Sequence, residues 1–414
     1  MEEKIFKDSF SFFSNLYSYL ENGYIILDSP FLCLKLKNGE KEVVLKLEKE
    51  GIKTSNFIYP NYSNTLLNVI AGFKHNYGFD TCYEVDKILF DKKYEHTIIL
   101  ILDGLGVNIL NKFGQRYKNN FLAKNFYKKI TSIYPSTTTA STTAIKTGKV
   151  PLETGWTGWQ NWIREINQNV TLFMKKNYYT GEDTTLCGYD ILPYKYYFND
   201  LSVLGTTLEP NFNDSNYNFK NTLDRAYQKI LEGYQTMYLY DESPDRELHK
   251  LGTNDDSIYQ RLNNYSKLIE EFYNKLPPDT LFIISADHGH IDIDELNLFE
   301  DKYLYKMLER NPSNDSRCLT FKVKDSYRKE FVSYFNSVYG KIYKLYDTKE
   351  AIERGFFGST DKVSNRIDDF LADYVALSYT NYQLCSNPKS IGMKSSHAGI
   401  TKEEMEVPLI VLKK

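Results

Sequence analysis

The chain has almost nothing with which to brace itself covalently or to anchor itself by charge. Its five cysteines, Cys33, Cys82, Cys187, Cys318 and Cys385, are odd in number, scattered and free of any C-x-x-C pair. That pattern excludes a disulfide framework and a cysteine zinc site and leaves buried thiols. No apolar run reaches membrane length, the longest being strand-sized at residues 97–102 and 281–284. The opening Met1-Glu-Glu-Lys lacks the basic-then-apolar order of a signal peptide, so a soluble cytoplasmic protein with no membrane partner is expected. Neither sign of charge dominates: 51 basic and 54 acidic residues give −3, too little to recruit nucleic acid or an anionic surface. An anionic ligand must therefore be held locally, by metals or helix ends.

What the chain does have is length and pattern. Its 414 residues can bury a large core. Residues 24–27, 31–36 and 42–47 read as strands, with the hairpin signal Asn38-Gly39 between the last two. A helical pattern follows from Leu66 to Phe73, with Ser63 or Asn64 as the expected cap. Residues 97–102 and 281–285 are continuous apolar runs of the kind that fill a buried parallel sheet, and each ends at a carboxylate, Asp103 and Asp287. Further strands are expected at 130–134, 236–240 and 407–412, with helices at 221–233 and 255–276. The repeated order of strand, carboxylate, helix predicts an α/β fold, a doubly wound sheet that binds ligands at its strand C-termini. Residues 150–233 are irregular and aromatic, and 317–346 read strand, helix, strand; both are taken as insertions.

One stretch stands out for chemistry: Ile133-Tyr-Pro-Ser-Thr-Thr-Thr-Ala-Ser-Thr-Thr-Ala-Ile-Lys-Thr-Gly148. The spacing of Ala140, Ala144 and Ile145 predicts a helix that begins near Thr137 or Thr138. A hydroxyl at such an N-terminus sits where unpaired N–H groups favour an anion or a developing alkoxide. Plain capping is the other reading. Asp245 and His249, four apart after Pro244, share a helical face and could grip one metal, and Asp287 and His288 are adjacent at a strand end. Mixed imidazole and carboxylate ligation suits zinc, with manganese next.

In order, Leu102-Asp-Gly-Leu-Gly, Pro135-Ser-Thr-Thr138, Pro244-Asp-Arg-Glu-Leu-His249, Ala286-Asp-His-Gly289 and Ser396-His-Ala-Gly399 resemble the motifs of the alkaline phosphatase superfamily. The nearer likeness is to its type I phosphodiesterase and nucleotide pyrophosphatase branch. The resemblance runs from about Tyr94 onward. It implies an alkaline phosphatase-like core at 91–414, a mixed sheet flanked by helices, with cap insertions near 150–220 and 300–390, preceded by a β-rich and helical extension at 1–90. It also implies a site for two divalent metals, zinc or manganese. Asp103, Thr138, Asp287 and His288 match the ligands of one, and Asp245, His249 and His397 those of the other. Thr138 matches the nucleophile, which gives a phosphothreonine intermediate in the cleavage of a small phosphodiester or pyrophosphate.

Two positions depart from the family pattern. Leu248 replaces the usual glycine before the metal histidine, and Trp159 falls where nucleotide pyrophosphatases place a phosphate-contacting asparagine, so nucleotide specificity is not carried over. The sulfatase signature C/S-x-P-x-R is absent. A phosphomonoesterase or phosphomutase on the same core, and a non-catalytic binding protein, are the alternatives. Trp156, Trp159 and Trp162 are spaced by three; they form either a buried helical face or, for Trp156 and Trp159, a wall of the leaving-group pocket. Diester preference is expected because Lys146 and Lys149 lie roughly 12 Å or more along the helix from Thr138. Arg164 comes next along the chain, and Arg317 is the cation expected to arrive from an insertion.

Overall fold

A computed structural model describes residues 2–27, 29–49, 51–53, 56–210 and 217–414. Its centre is a six-stranded sheet built from β1 (His96–Leu102), β2 (Phe126–Thr131), β3 (Gly205–Leu208), β4 (Thr236–Asp241), β5 (Thr280–Ser285) and β6 (Glu406–Lys413). The order across it is β3-β4-β1-β5-β6-β2. The first four strands in that order run parallel, and β6 joins antiparallel to both β5 and β2. Every residue of β1, β4 and β5 is buried, in keeping with the apolar runs at their centres.

Helices cover the sheet. Residues of α1 (Leu66–Asn76), α2 (Val107–Arg116), α3 (Thr138–Thr147), α4 (Phe219–Leu231) and α6 (Asp256–Lys275) share one apolar core with its strands. Short α5 (Asp245–Leu251) adds Leu248. The amphipathic spacing of Ile258, Leu262, Ile269 and Phe272 turns one face of α6 onto that core, and Leu276-Pro277-Pro278 ends the helix.

Two local expectations shift. The cap of α1 is Thr65, whose hydroxyl accepts from Leu67 N–H, rather than Ser63 or Asn64. The strand expected at 130–134 is β2, which ends at Thr131; as an edge strand it carries Lys128 and Lys129 and shows little apolar pattern.

Packing does not follow the boundary expected near residue 90, because Leu66, Val69, Ile70, Phe73 and Leu89 belong to the central core. Before them, a four-stranded sheet holds Glu2–Phe6, Ile25–Leu27, Cys33–Asn38 and Lys41–Leu47, with the helix Ser9–Glu21. Phe12, Phe13 and Leu16 of that helix share a second core with Leu319, Phe321, Phe331 and Phe335. Those four belong to the later insertion, whose own four-stranded sheet includes Ser313–Asp315 and Cys318–Phe321. The earlier insertion carries a three-stranded sheet, Gln160–Ile163, Gln168–Thr171 and Lys176–Asn177. The tryptophans therefore lie on loop and strand, and their spacing is not helical. No helix among the described residues is long and apolar enough to cross a membrane.

Candidate active site

The site forms where the parallel strands end. Asp103 follows β1, Asp245 opens α5 just beyond β4, and Asp287 and His288 follow β5. Helix α3 brings Thr138 to the same point. Its N-cap is Thr137, which makes no side-chain capping bond, and Ser136 donates to the Gly399 carbonyl at 2.8 Å. Thr138 is the first helical residue, and its Oγ1 lies 3.4 Å from Asp103 Oδ2 and 3.3 Å from His288 Nε2. The hydroxyl is thus directed at the acidic cluster, where the helix dipole favours negative charge.

The histidines are held in one tautomer. Nδ1–H of His249 donates to the Ser395 carbonyl at 2.9 Å, that of His288 to Gly289 at 3.1 Å, and that of His397 to Ser136 at 3.0 Å. A carbonyl can only accept, so each Nδ1 carries a proton and each Nε2 is turned toward the site. His249 Nε2 lies 3.3 Å and His397 Nε2 3.7 Å from Asp245 Oδ1, and His288 Nε2 lies 3.2 Å from Asp103 Oδ1 and 3.5 Å from Asp287 Oδ2. Asp103, Asp287 and His288 form one compact donor group; Asp245, His288, His290 and His397 form a second.

The electrostatics suit a cation. Asp103 Oδ1 and Asp287 Oδ2 are buried with no hydrogen-bond partner among the described residues. Burial pushes the Asp103 and Asp287 carboxyls well up; the charge of Asp245 adds to the first and that of Asp103 to the second. Burial also holds His397 well below the usual imidazole range, in the neutral form that binds metals. His249, although burial pulls it down, is held up to about 9 by Asp245, so that in the absence of metal a proton neutralises this pair. Unpaired buried carboxylates beside inward-facing imidazole lone pairs are the donor set a divalent metal takes, and the residues fit the two-metal expectation.

All seven residues expected as ligands converge here. Sequence reasoning missed three neighbours. Tyr240, on β4, donates its hydroxyl to Asp103 Oδ2. His290 places Nε2 2.6 Å from Asp245 Oδ1, and the repeat His288-Gly-His290 was its one visible signal. Asp315, from the later insertion, accepts from Trp159 N–H at 3.0 Å and lies 3.4 Å from the Thr137 hydroxyl; burial raises its pKa to about 6.

A cavity of about 360 Å³ opens beside Thr138, Asp245, His249 and His397. Trp159 lines it, together with Tyr178, Asn314, Asp315, Gln383 and Lys389. Trp156 does not: it is wholly buried against Leu172, Leu192 and Phe370, and its indole N–H donates to the Leu192 carbonyl, so the expectation that it walls the pocket is overturned. Arg317 is likewise no substrate cation, because its guanidinium is buried and paired with Glu404. Lys146 is paired with Glu209, and Arg164 lies near Asp369.

Fold and site together define an alkaline phosphatase superfamily hydrolase with a threonine at its centre. The chain belongs to the type I phosphodiesterase / nucleotide pyrophosphatase family, whose model matches residues 97–398. Among solved structures it resembles murine ectonucleotide pyrophosphatase / phosphodiesterase 5, at 12% identity and a TM-score of 0.58 over 77% of this chain and 88% of that one. The human counterpart gives 11% and 0.59 with the same coverage. Phosphonoacetate hydrolase from Sinorhizobium meliloti 1021, in complex with phosphonoformate, gives 15% and 0.54 over 78% of this chain and 92% of that one. At these identities the likeness shows the shared fold. No curated protein matches the sequence.

Proposed function

We propose that the protein is a two-metal hydrolase that cleaves phosphodiester or pyrophosphate bonds of small molecules through a phosphothreonine at Thr138. One observation carries this: a helix-terminal hydroxyl, not spent on capping, stands within 3.4 Å of Asp103 and His288 at the edge of a cluster of unpaired carboxylates and inward-facing imidazoles. Asp103, Thr138, Asp287 and His288 would hold one metal and Asp245, His249 and His397 the other, zinc being favoured over manganese by the donor set. Bound there, the two cations would lower the pKa of the Thr138 hydroxyl and share the charge of an in-line transition state.

The chain's own residues supply the rest. The N-terminus of α3 aims Thr138 Oγ1 at phosphorus, the Oγ1–P bond forms, and the leaving oxygen departs from the opposite side with its electron pair. Water then attacks the phosphothreonine, and the threonine hydroxyl is restored. Two in-line displacements give net retention at phosphorus. The cytoplasmic placement belongs to the same reading and is supported by five thiols, none in a disulfide.

A diester is favoured over a monoester because Lys146, far along α3 from Thr138, is paired with Glu209, and Arg317, the cation expected to arrive from an insertion, is paired with Glu404. The monoesterase reading retains one support, Lys389 at the cavity wall, although its Nζ donates to the Thr180 carbonyl at 2.5 Å. The test is kcat/KM for matched p-nitrophenyl mono- and diesters at saturating zinc and at saturating manganese, with chemical quench for a phosphothreonine. A monoester preference of tenfold, about 1.4 kcal/mol in transition-state free energy, would replace the diester reading. Inversion with a chiral thiophosphate would exclude the covalent route.

A further inference from the structure

The wall of the cavity beside Thr138 holds buried amides that have no full set of hydrogen bonds among the described residues. Asn314 is 1% exposed, yet both its Oδ1 and its Nδ2 lack a hydrogen-bond partner among the described residues. Gln383, also 1% exposed, leaves its Oε1 unpaired, and its Nε2 reaches no more than the Cys385 sulfur at 3.7 Å. Both residues line the same cavity as Thr138. An unpaired buried amide costs on the order of 1–3 kcal/mol per group, so a fold that keeps two of them at one wall bears a cost that a bound ligand can offset.

The backbone fixes where this amide lies. Asn314 has φ +73°, in the left-handed region that few side chains adopt. Opposite it stands Gly158, where a Cβ would come within 1.5 Å of Asn314 Oδ1 and 2.9 Å of Asp315 Oδ2. Asparagine is among the few non-glycine residues that adopt this conformation readily, and the missing side chain at Gly158 leaves the space that the Asn314 amide fills.

We propose that Asn314 is a specificity-determining residue: its amide, with Gln383 beside it, recognises the substituent on phosphorus, and the substituent it takes carries a hydrogen-bond donor and acceptor side by side, as a hydroxyl or a ring-amide edge does. A phosphoryl oxygen is the wrong complement. It accepts only, so it would satisfy Nδ2 and leave Oδ1 of Asn314 and Oε1 of Gln383 facing negative charge. A purely alkyl or aryl group is also wrong, since it would seal both amides away unpaired. The inference rests on the proposed reading of the site as a phosphorus ester pocket, but not on turnover.

Binding tests it apart from catalysis. In a Thr138→Ala background loaded with zinc, calorimetry gives Kd for thymidine 5′-monophosphate, which carries a hydroxyl and a ring-amide edge, and for methyl phosphate, which carries neither. Asn314→Gly keeps the left-handed backbone while removing the amide. It is expected to weaken the nucleotide tenfold or more, 1.4 kcal/mol at that factor, and to change methyl phosphate less than twofold, with zinc content and melting temperature retained. Equal weakening of both ligands, no weakening of the nucleotide, or a parent protein that binds the two alike would each overturn the proposal. If the glycine variant loses its fold, Gln383→Met, which keeps the bulk and removes the neighbouring amide without adding charge, repeats the comparison with the same expectation. Absence of diesterase activity in the parent would sink the proposed function and leave this binding result standing.

Discussion

The guanidinium of Arg317 and the carboxylate of Glu404 meet as a fork in the interior, Nε to Oε1 at 2.6 Å and Nη2 to Oε2 at 2.8 Å, both side chains fully buried. Arg317 also donates to the carbonyls of Tyr382 and Thr380, and Glu404 accepts from the N–H groups of Gly399 and Thr401. The pair therefore ties the later insertion to the loop that begins at His397. Breaking it leaves a lone buried charge, so Arg317→Met is expected to cost about 3–5 kcal/mol, measured by denaturant unfolding. Loss of that anchor should also weaken metal binding at the His249 and His397 side in a chelator competition, while an unchanged unfolding midpoint would contradict the assignment.

Thr138→Ala should abolish turnover and leave metal content nearly intact, because in the proposed mechanism the residue is nucleophile first and ligand second. Thr137→Ala should be mild, since the Thr137 hydroxyl makes no capping bond and its one hydrogen bond among the described residues, to Asp315, is long at 3.4 Å. Activity assays beside elemental analysis separate the two, and the reverse pattern would mean that the wrong threonine has been assigned.

Metal analysis of the saturated protein should give two divalent ions per chain. Asp245→Ala and His249→Ala should each remove one, and Asp287→Ala the other. A saturated stoichiometry of one would contradict the two donor groups.

The tryptophans should part company. Trp156→Ala opens a cavity among Leu172, Leu192 and Phe370 and is expected to cost about 3–5 kcal/mol. Trp159→Ala, on the cavity wall, should stay folded and raise KM for aromatic leaving groups. Thermal melts and steady-state kinetics on both variants check this.

Asp301 lies beneath the tyrosines of the insertion, taking hydrogen bonds from Tyr334 and Tyr339, yet burial raises its pKa to about 6. A carboxyl whose folded pKa lies above its unfolded value of about 3.9 stabilises the fold fully below that value. The contribution is lost as pH rises toward about 6. Asp301→Asn can still cap the helix Lys302–Met307 through its side-chain oxygen. It should therefore flatten the fall in stability between about pH 4 and 6, by an amount on the order of 3 kcal/mol. Unfolding midpoints of variant and parent across that range test the sign; parallel curves would refute it.

Much of the central architecture was legible because buried parallel strands leave continuous apolar runs. The strands β1 and β5 announced themselves, and with them the carboxylates at their ends. The histidines that converge on the site were legible through motif order, which no single residue carries. The strand Glu2–Phe6 was not, because its parallel pairing with Lys41–Leu47 leaves charged residues in an edge with no alternation. Asn314, Asp315 and Lys389 were also invisible: polar residues on a three-residue strand and a short helical turn show no period, and packing between segments far apart in sequence decides which of them line the cavity. Arg317 misled for the same reason. Its position opening a strand suggested exposure, and only the fold supplied Glu404 as its partner.

In the six-stranded sheet β2 is an edge strand, and β6 is its hydrogen-bonding neighbour, pairing Thr131 with Glu406. The segment that leads into the nucleophile thus has no partner in the sheet until a stretch nearly three hundred positions later has been made. Bringing such distant segments together is entropically slow. On a ribosome, the half-built chain would present β2 as an open edge while the hydroxyl of Thr138 still lacked His397 across from it, so the newborn protein should be inert, and most prone to clump, until that late strand slots in.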